Sequence, residues 1–518
     1  MSRMTRRDFT RKLTTGLGAA AIAVGADGKD AQAKPKKKPN IVFICSDQHS
    51  YKYTGYAGHD IVKTPNLDRI ARQGVVFTSA YTGHPVCTPG RTSMMTGMFA
   101  SDCNSFCNST VWDGSHPVWA TYLNEKGYYC RAIGKMDLND DFDTGFEEIE
   151  TSHGHRHNPD ITSLFRRPVG YRMNERPNVN GGSRIERHDD ARRTELALQF
   201  LQQEADQVKK PWALYVGLTE PHPRFVALEE YWNMYPIYSM DMPNIPPGHL
   251  ENLHMVFQEL RRFKRIATPI AEDRIRRARA GYYGMITELD EYIGRLWDEL
   301  ERSGELKNTL FIYTSDHGES LGEHGLWYKN NLYDVAARVP LVMAGAGLPK
   351  GKVIKTPVAH VDVVATMLEM ARSDAATKLR GHSLLPMMTG KRSDHPGYAY
   401  SECHSEGNAT GSFMIRKGDW KYIHFSYYDD LLFNVAQDPG EFNNLFGKPE
   451  VADIQLELQE ILHSLVDPEE VTLRAFRTQE KMLKEMSGQL TEDELFEKFR
   501  GRLGDGQARI LAKKCKTI

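Results

Sequence analysis

Neither sign of charge predominates in this chain: 66 Lys and Arg stand against 68 Asp and Glu. No global field therefore draws it to a polyanion, and nucleic acid is not expected as a partner. Beyond the first thirty-odd residues no apolar run approaches the roughly 20 residues that cross a bilayer, so no stable membrane anchor is expected. Internal repeats are absent, as are low-complexity tracts past the N-terminal region. Cysteine is sparse and odd in number, at Cys45, Cys87, Cys103, Cys107, Cys130, Cys403 and Cys515. That count excludes a fully paired disulfide framework and leaves at least one thiol for other work. Cys103 and Cys107 are spaced equally well for a bridge or for two buried thiols.

What is present begins with 518 residues, 40% of them hydrophobic, enough for a sizeable core. Thr5-Arg6-Arg7-Asp8-Phe9, an apolar run from Leu13 to Ala26 and Ala31-Gln32-Ala33 follow in the order of a twin-arginine signal peptide. Residues 1–33 are therefore expected to direct export through the twin-arginine translocon, with cleavage after Ala33. The mature protein would be periplasmic or secreted. That route carries folded proteins, so a cofactor or a modified residue would be installed before export.

Residues 34–39 read as a linker. Unbroken apolar runs follow at Ile41–Cys45, Ala213–Leu218 and Leu310–Thr314, with a weaker one at Tyr128–Ile133. Each has strand length and suits a strand buried on both faces, and each ends in a polar cluster. Helical periods lie between them. At Thr64–Gly74, Thr64 is placed to cap, Pro65 to open and Gly74 to close a helix; a longer one is expected over Ala271–Glu301. Alternating strands and helices predict an α/β fold, a large mostly parallel sheet sandwiched by helices, with ligand groups at the carboxyl ends of its strands. The sheet domain is expected over residues 40–375. A smaller C-terminal α+β domain would occupy 376–465, with strands near Phe413–Ile415 and Lys421–His424, and a helical tail 466–518.

The sharpest local feature is His84-Pro85-Val86-Cys87-Thr88-Pro89-Gly90-Arg91-Thr92-Ser93-Met94-Met95-Thr96-Gly97. Thr88 is placed to cap a helix that Pro89 opens and Gly97 closes, which would set the Cys87 side chain at the positive end of a helix dipole. The string Cys-x-Pro-x-Arg followed by Thr-Ser-Met-Met-Thr-Gly resembles the signature of the formylglycine-dependent sulfatases, of alkaline-phosphatase-like fold. The resemblance runs from Pro39-Asn40-Ile41-Val42 to Asp438-Pro439-Gly440-Glu441-Phe442-Asn443-Asn444-Leu445. Around Gly134-Lys135-Met136, Tyr328-Lys329 and Arg338-Val339-Pro340 it is nearest to choline-sulfatase-like and bacterial polysaccharide sulfatases.

That resemblance implies oxidation of Cys87 to formylglycine by a formylglycine-generating enzyme. It implies a divalent cation held by Asp47, Gln48, Asp316, His317 and residue 87. Oxygen donors suit Ca²⁺ or Mg²⁺, and the imidazole leaves Mn²⁺ open. Arg91, Lys135, His222 and Lys329 match the positions that bind sulfate and orient the nucleophile. Four departures from the family pattern stand out: Gly90 for a small side chain, Gln48 for an aspartate, His317 for an asparagine and Asp137 for a histidine. Asp137 would accept the formylglycine proton, or it turns away and His84 or another residue takes that role. By the same resemblance the hydrated aldehyde attacks sulfur, an acid such as His222 protonates the leaving alcohol, and the second hydroxyl expels sulfate. The implied substrate is a sulfated glycan or small organic sulfate, with selectivity in the segments 153–187 and 225–269. The competing readings are a phosphonate monoester or phosphodiester hydrolase, and a non-catalytic binder of sulfated glycans.

Overall fold

The computed structural model describes residues 37–152, 172–173, 175–404 and 407–516. The signal-peptide reading and residues 153–171 of the segment 153–187 lie outside them. Eight strands build the main sheet: β1 Asn40–Ser46, β2 Gly74–Phe77, β3 Tyr129–Lys135, β4 Glu147–Ser152, β5 Trp212–Gly217, β6 Thr309–Ser315, β7 Leu341–Gly345 and β8 Lys352–Ile354. Their spatial order is β8-β2-β7-β6-β1-β5-β3-β4. All run one way except β7, which is antiparallel to both β6 and β2. The expected mostly parallel sheet is thus a mixed sheet with one reversed strand.

The unbroken apolar runs are explained by burial on both faces. Along β1, Ile41, Phe43 and Cys45 enter one core and Val42 and Ile44 the other. The first core is closed by Met94 and Met95 of α2 (Cys87–Thr96) and by Val363, Val364, Met367 and Leu368 of α4 (His360–Met370). The second is closed by α1 (Pro65–Gln73) and α3 (Glu272–Ser303). On α3, Leu289, Ile293, Leu296 and Leu300 recur at helical spacing, and each contributes roughly 1.5–3 kcal/mol on burial. Trp297 meets Phe311 of β6 edge to face, with ring centroids 5.2 Å apart.

One expectation about α1 is corrected and one holds. Thr64 makes no side-chain cap; the buried Asp290 carboxylate of α3 accepts the N–H groups of Asn66 and Leu67 at 2.9 and 2.7 Å instead. Gly74 does end α1, with extended backbone, and opens β2. A Cβ there would stand 2.5 Å from Met343 O, so close approach of the reversed strand is what requires glycine.

The C-terminal region holds a four-stranded antiparallel meander, β9 Tyr398–Cys403, β10 Ser412–Lys417, β11 Trp420–Phe425 and β12 Leu431–Asn434. Helices Ala452–Leu465 and Pro468–Gln489 pack on it through Leu458, Leu462, Val471 and Ala475. Beyond Leu465 the described chain forms three helices, Pro468–Gln489, Glu492–Leu503 and Asp505–Cys515, the second capped by Thr491 through a capping box. No described helix is long and apolar enough to cross a membrane. Cys103 and Cys107 are not bridged.

Burial holds two imidazoles of the sheet core neutral. His49, whose ring bridges Tyr313 OH and Tyr53 O, and His360, beside Thr314 Oγ1, are both pushed down to about 4. Both folded values lie below the ordinary imidazole value, so the unfolded chain takes up protons first as pH falls. Stability is expected to decline from about pH 6.5 to about pH 4, by up to ~1.4 kcal/mol per pH unit for each group. Urea unfolding across that range tests this, and His360→Gln should flatten the slope.

Candidate active site

Three strands deliver the site by ending at one level. β1 runs into Asp47 and Gln48, β6 into Asp316 and His317, and β3 ends at Lys135. β1 pairs with β6 in register as far as Ser46 and Ser315, which brings the two aspartates side by side. Parallel strands in register put the residues that follow them at one edge.

The segment that carries Cys87 meets that edge. Cys87 is itself the first residue of α2, with Val86 as N-cap. Contrary to the expectation from sequence, Thr88 does not cap; its N–H donates to Asn108 Oδ1 at 3.1 Å. Gly97 does close the helix, at φ 71°. A Cβ at Gly90 would stand 2.6 Å from His84 O and 3.2 Å from Asp316 O, so the helix lies too close to its own entry loop for a side chain there.

Arg91, one turn into α2 and fully buried, ties these pieces together. Its Nε donates to Asp316 Oδ2 at 2.9 Å, its Nη1 to Lys135 O and Tyr215 OH at 2.8 Å each, and its Nη2 lies 3.9 Å from Asp47 Oδ2. Burial opposes its charge, but the surrounding acidic groups hold the guanidinium well above its usual range. Tyr215, within an apolar strand, carries no sequence signal for this role beyond a hydroxyl at the end of a buried ring.

Around Cys87 Sγ stand Lys329 Nζ at 2.6 Å, His317 Nε2 at 3.4 Å and the Asp47 carboxylate oxygens at 3.6 and 3.7 Å. Lys135 Nζ pairs with Asp47 and lies 3.2 Å from Asp137 Oδ2. Burial and Asp47 push the Cys87 thiol up, but Lys135, Lys329 and His317 outweigh them and bring it down to about 6. Burial likewise opposes ionisation of Asp47, yet Lys135, His222, Lys329 and His317 hold its carboxyl well below the usual range.

One group fits a divalent cation. Ligand atoms of Asp47, Cys87, Asp316 and His317, all buried, lie within 4.8 Å of one another. His317 Nδ1 is 3.0 Å from Gly318 O, which fixes that nitrogen as the donor and leaves Nε2 as a lone-pair ligand. Gln48 is fully buried with its Oε1 lacking any hydrogen-bond partner, as an oxygen meant for an ion would be. Two carboxylates, one amide oxygen and one imidazole make a donor set that Ca²⁺, Mg²⁺ or Mn²⁺ accepts.

The remaining expected residues are less tightly joined. Asp137, at φ 54°, faces Lys135 and Arg91, with no contact to Cys87 among the described residues. His222 is half-buried and within electrostatic reach of Asp47. His84 Nε2 accepts the main-chain N–H of His404 at 3.1 Å, which commits it to the entry loop.

A thiol at a helix start, ringed by ammonium groups beside an acidic cluster shaped for a cation, defines a hydrolase of anionic esters on an α/β sheet. Comparison with known proteins narrows the class. The Sulfatase family profile matches residues 39–373, more than half the chain, and that of N-sulphoglucosamine sulphohydrolase, C-terminal, matches residues 322–467. The choline-sulfatase of Rhizobium meliloti (strain 1021) is 31% identical over 433 residues, covering 80% of this chain and 83% of that one. Arylsulfatase K of Gallus gallus is 30% identical over 478 residues, 86% of each chain. Among solved structures, the phosphonate monoester hydrolase SpPMH from Silicibacter pomeroyi superposes with a TM-score of 0.69 at 26% identity, over 83% of this chain and 96% of that one. This chain belongs to the sulfatase family. It is a sulfuric ester hydrolase.

The environment of residue 87 is testable before any modification. In protein made without a formylglycine-generating enzyme and stripped of cations, thiolate absorbance near 240 nm should rise with a midpoint near pH 6. Cys45, Cys103 and Cys130 are pushed up to about 12 by burial and stay silent there. Lys329→Ala should move the midpoint upward; an unmoved midpoint would contradict the contact.

Proposed function

We propose that this sulfatase hydrolyses a sulfate ester of a small organic alcohol or a sugar, with formylglycine made from Cys87 as nucleophile and a divalent cation, Ca²⁺ in the first instance, beside it. The observation that carries this reading is the surroundings of Cys87 Sγ: the Lys329 ammonium at 2.6 Å and the clustered ligand atoms of Asp47, Asp316 and His317. A plain thiol that attacked sulfur would have no route to release the product, whereas a hydrated aldehyde does.

Asp47, Gln48, Asp316 and His317 would hold the cation, which when bound would supply Lewis-acid stabilisation of negative charge on the nucleophile and the sulfuryl oxygens. The chain's own groups do the rest. Lys135 and Lys329, each with its charged form reinforced by Asp47 and residue 87 against the cost of burial, face an incoming sulfate and meet the charge that builds on its oxygens. Arg91 does not reach out to substrate; it holds Asp316 and the Lys135 backbone in place. His222, half-buried at the same edge, is the donor of a proton to the leaving alcohol. Asp137 holds Lys135 rather than residue 87. The name of the choline-sulfatase relative supports a small organic sulfate as substrate. The likeness to a phosphonate monoester hydrolase weighs less than the two sulfatase relatives, whose identity is higher. Residues 1–33 are further proposed to direct twin-arginine export, so that the mature chain begins at Lys34.

Peptide mass spectrometry across residue 87, on protein from a host that makes formylglycine, should find the aldehyde. Sulfate release from an aryl sulfate should fall by at least a thousandfold in Cys87→Ala, and chelation should abolish it until a divalent cation is restored. An unmodified thiol without activity would favour the glycan-binder reading. Faster turnover of an aryl phosphodiester than of the sulfate would favour the phosphorus-ester reading.

A further inference from the structure

Gln48 stands where many sulfatases carry a carboxylate, yet the missing charge has a counterpart one layer out. Glu319, fully buried on the loop that leaves β6, accepts the N–H groups of Leu321 and Tyr328 through Oε1 at 2.8 and 2.6 Å. Its Oε2 accepts Nε2 of Gln48. That contact uses the NH₂ end of the Gln48 amide, which turns its Oε1 the other way. That oxygen is buried without a hydrogen-bond partner, on the residue that follows Asp47. The Gln48 main chain is pinned too: its N–H donates to Asp316 Oδ1 at 3.0 Å and its carbonyl accepts Tyr282 OH at 2.6 Å. With the backbone held at φ 73°, the hydrogen bond to Glu319 fixes the orientation of the amide.

We infer that Glu319 is a positioning residue that aims Gln48 Oε1 at the divalent cation, so that Gln48 and Glu319 together replace a single carboxylate ligand. This rests on the proposal that a cation is held there. The same carboxylate, through Tyr328 N–H, also steadies the residue preceding Lys329, so activity alone would not separate the two effects.

In Glu319→Gln, the Oε1 position must still accept two N–H groups, which leaves the new NH₂ pointing at Gln48. The Gln48 amide then flips and presents its own NH₂ to the cation. The reciprocal exchange Gln48→Glu with Glu319→Gln restores a matched pair, NH₂ on residue 319 and an oxygen toward the cation.

The test is calcium affinity, by calorimetry and by thermal shift, on cation-stripped full-length wild type, Glu319→Gln, Gln48→Ala and the double exchange. Both single variants should bind at least tenfold more weakly, as loss of a ligand or of its supporting partner does, and the double exchange should return to wild-type affinity or better. Wild-type affinity in Glu319→Gln or Gln48→Ala, or a folded double exchange that stays weak, would overturn the inference. If Glu319→Gln fails to fold, Gln48→Ala and the double exchange still decide it. Wild type that binds no calcium, magnesium or manganese would remove the cation reading itself, and this inference with it.

Discussion

The site depends on one buried guanidinium. Arg91 has no exposed surface, and the groups it touches come from four places in the chain: Asp316 after β6, Ser46 and Asp47 at the end of β1, Lys135 at the end of β3 and Tyr215 in β5. Removing one partner of such a buried pair leaves an uncompensated charge, at a cost of about 3–5 kcal/mol. The arrangement therefore locks the strand ends to the helix that carries residue 87. It also settles why Arg lies one turn after Cys in the motif: one helical turn is the offset that lets its side chain reach under the nucleophile to the aspartates.

With two aspartates neutralised from below by Arg91, the upper face of the site can carry cations. Lys135 and Lys329 sit against Asp47 and Cys87 Sγ, where each positive charge stabilises a negative one that burial would otherwise suppress. Such opposed charges at close quarters in a dry setting are what an anionic ester needs on arrival. Asp137 belongs to this balance. At this position the chain places a carboxylate that pairs with Lys135, so its negative charge is met by a neighbouring ammonium.

Much of this was legible in the residues alone. The three apolar runs became the three central strands of the sheet, because a strand covered on both faces has no polar side to show. Asp47, Cys87, Asp316 and His317, far apart in sequence, meet because each follows or faces a strand end at the same edge. What was misread was capping. Thr64 and Thr88 satisfy the local pattern, but Asp290 and Asn108 supply the acceptors from 224 and 20 residues away. Tyr215 and Glu319 were missed for a related reason: a hydroxyl inside an apolar strand and an acid in a loop look ordinary until their partners are known.

The sequence by itself determined the fold class, through local periodicity, and the Cys87 motif whose resemblance to the sulfatases pointed to Asp47, Asp316 and His317 as well. Only the tertiary structure decided how charge is shared among them. It turned Asp137 toward Lys135, committed His84 to the backbone of His404, and set Glu319 behind Gln48. Hydrogen-bond direction and charge pairing are properties of two groups at a distance of about 3 Å, and no single segment of chain contains both.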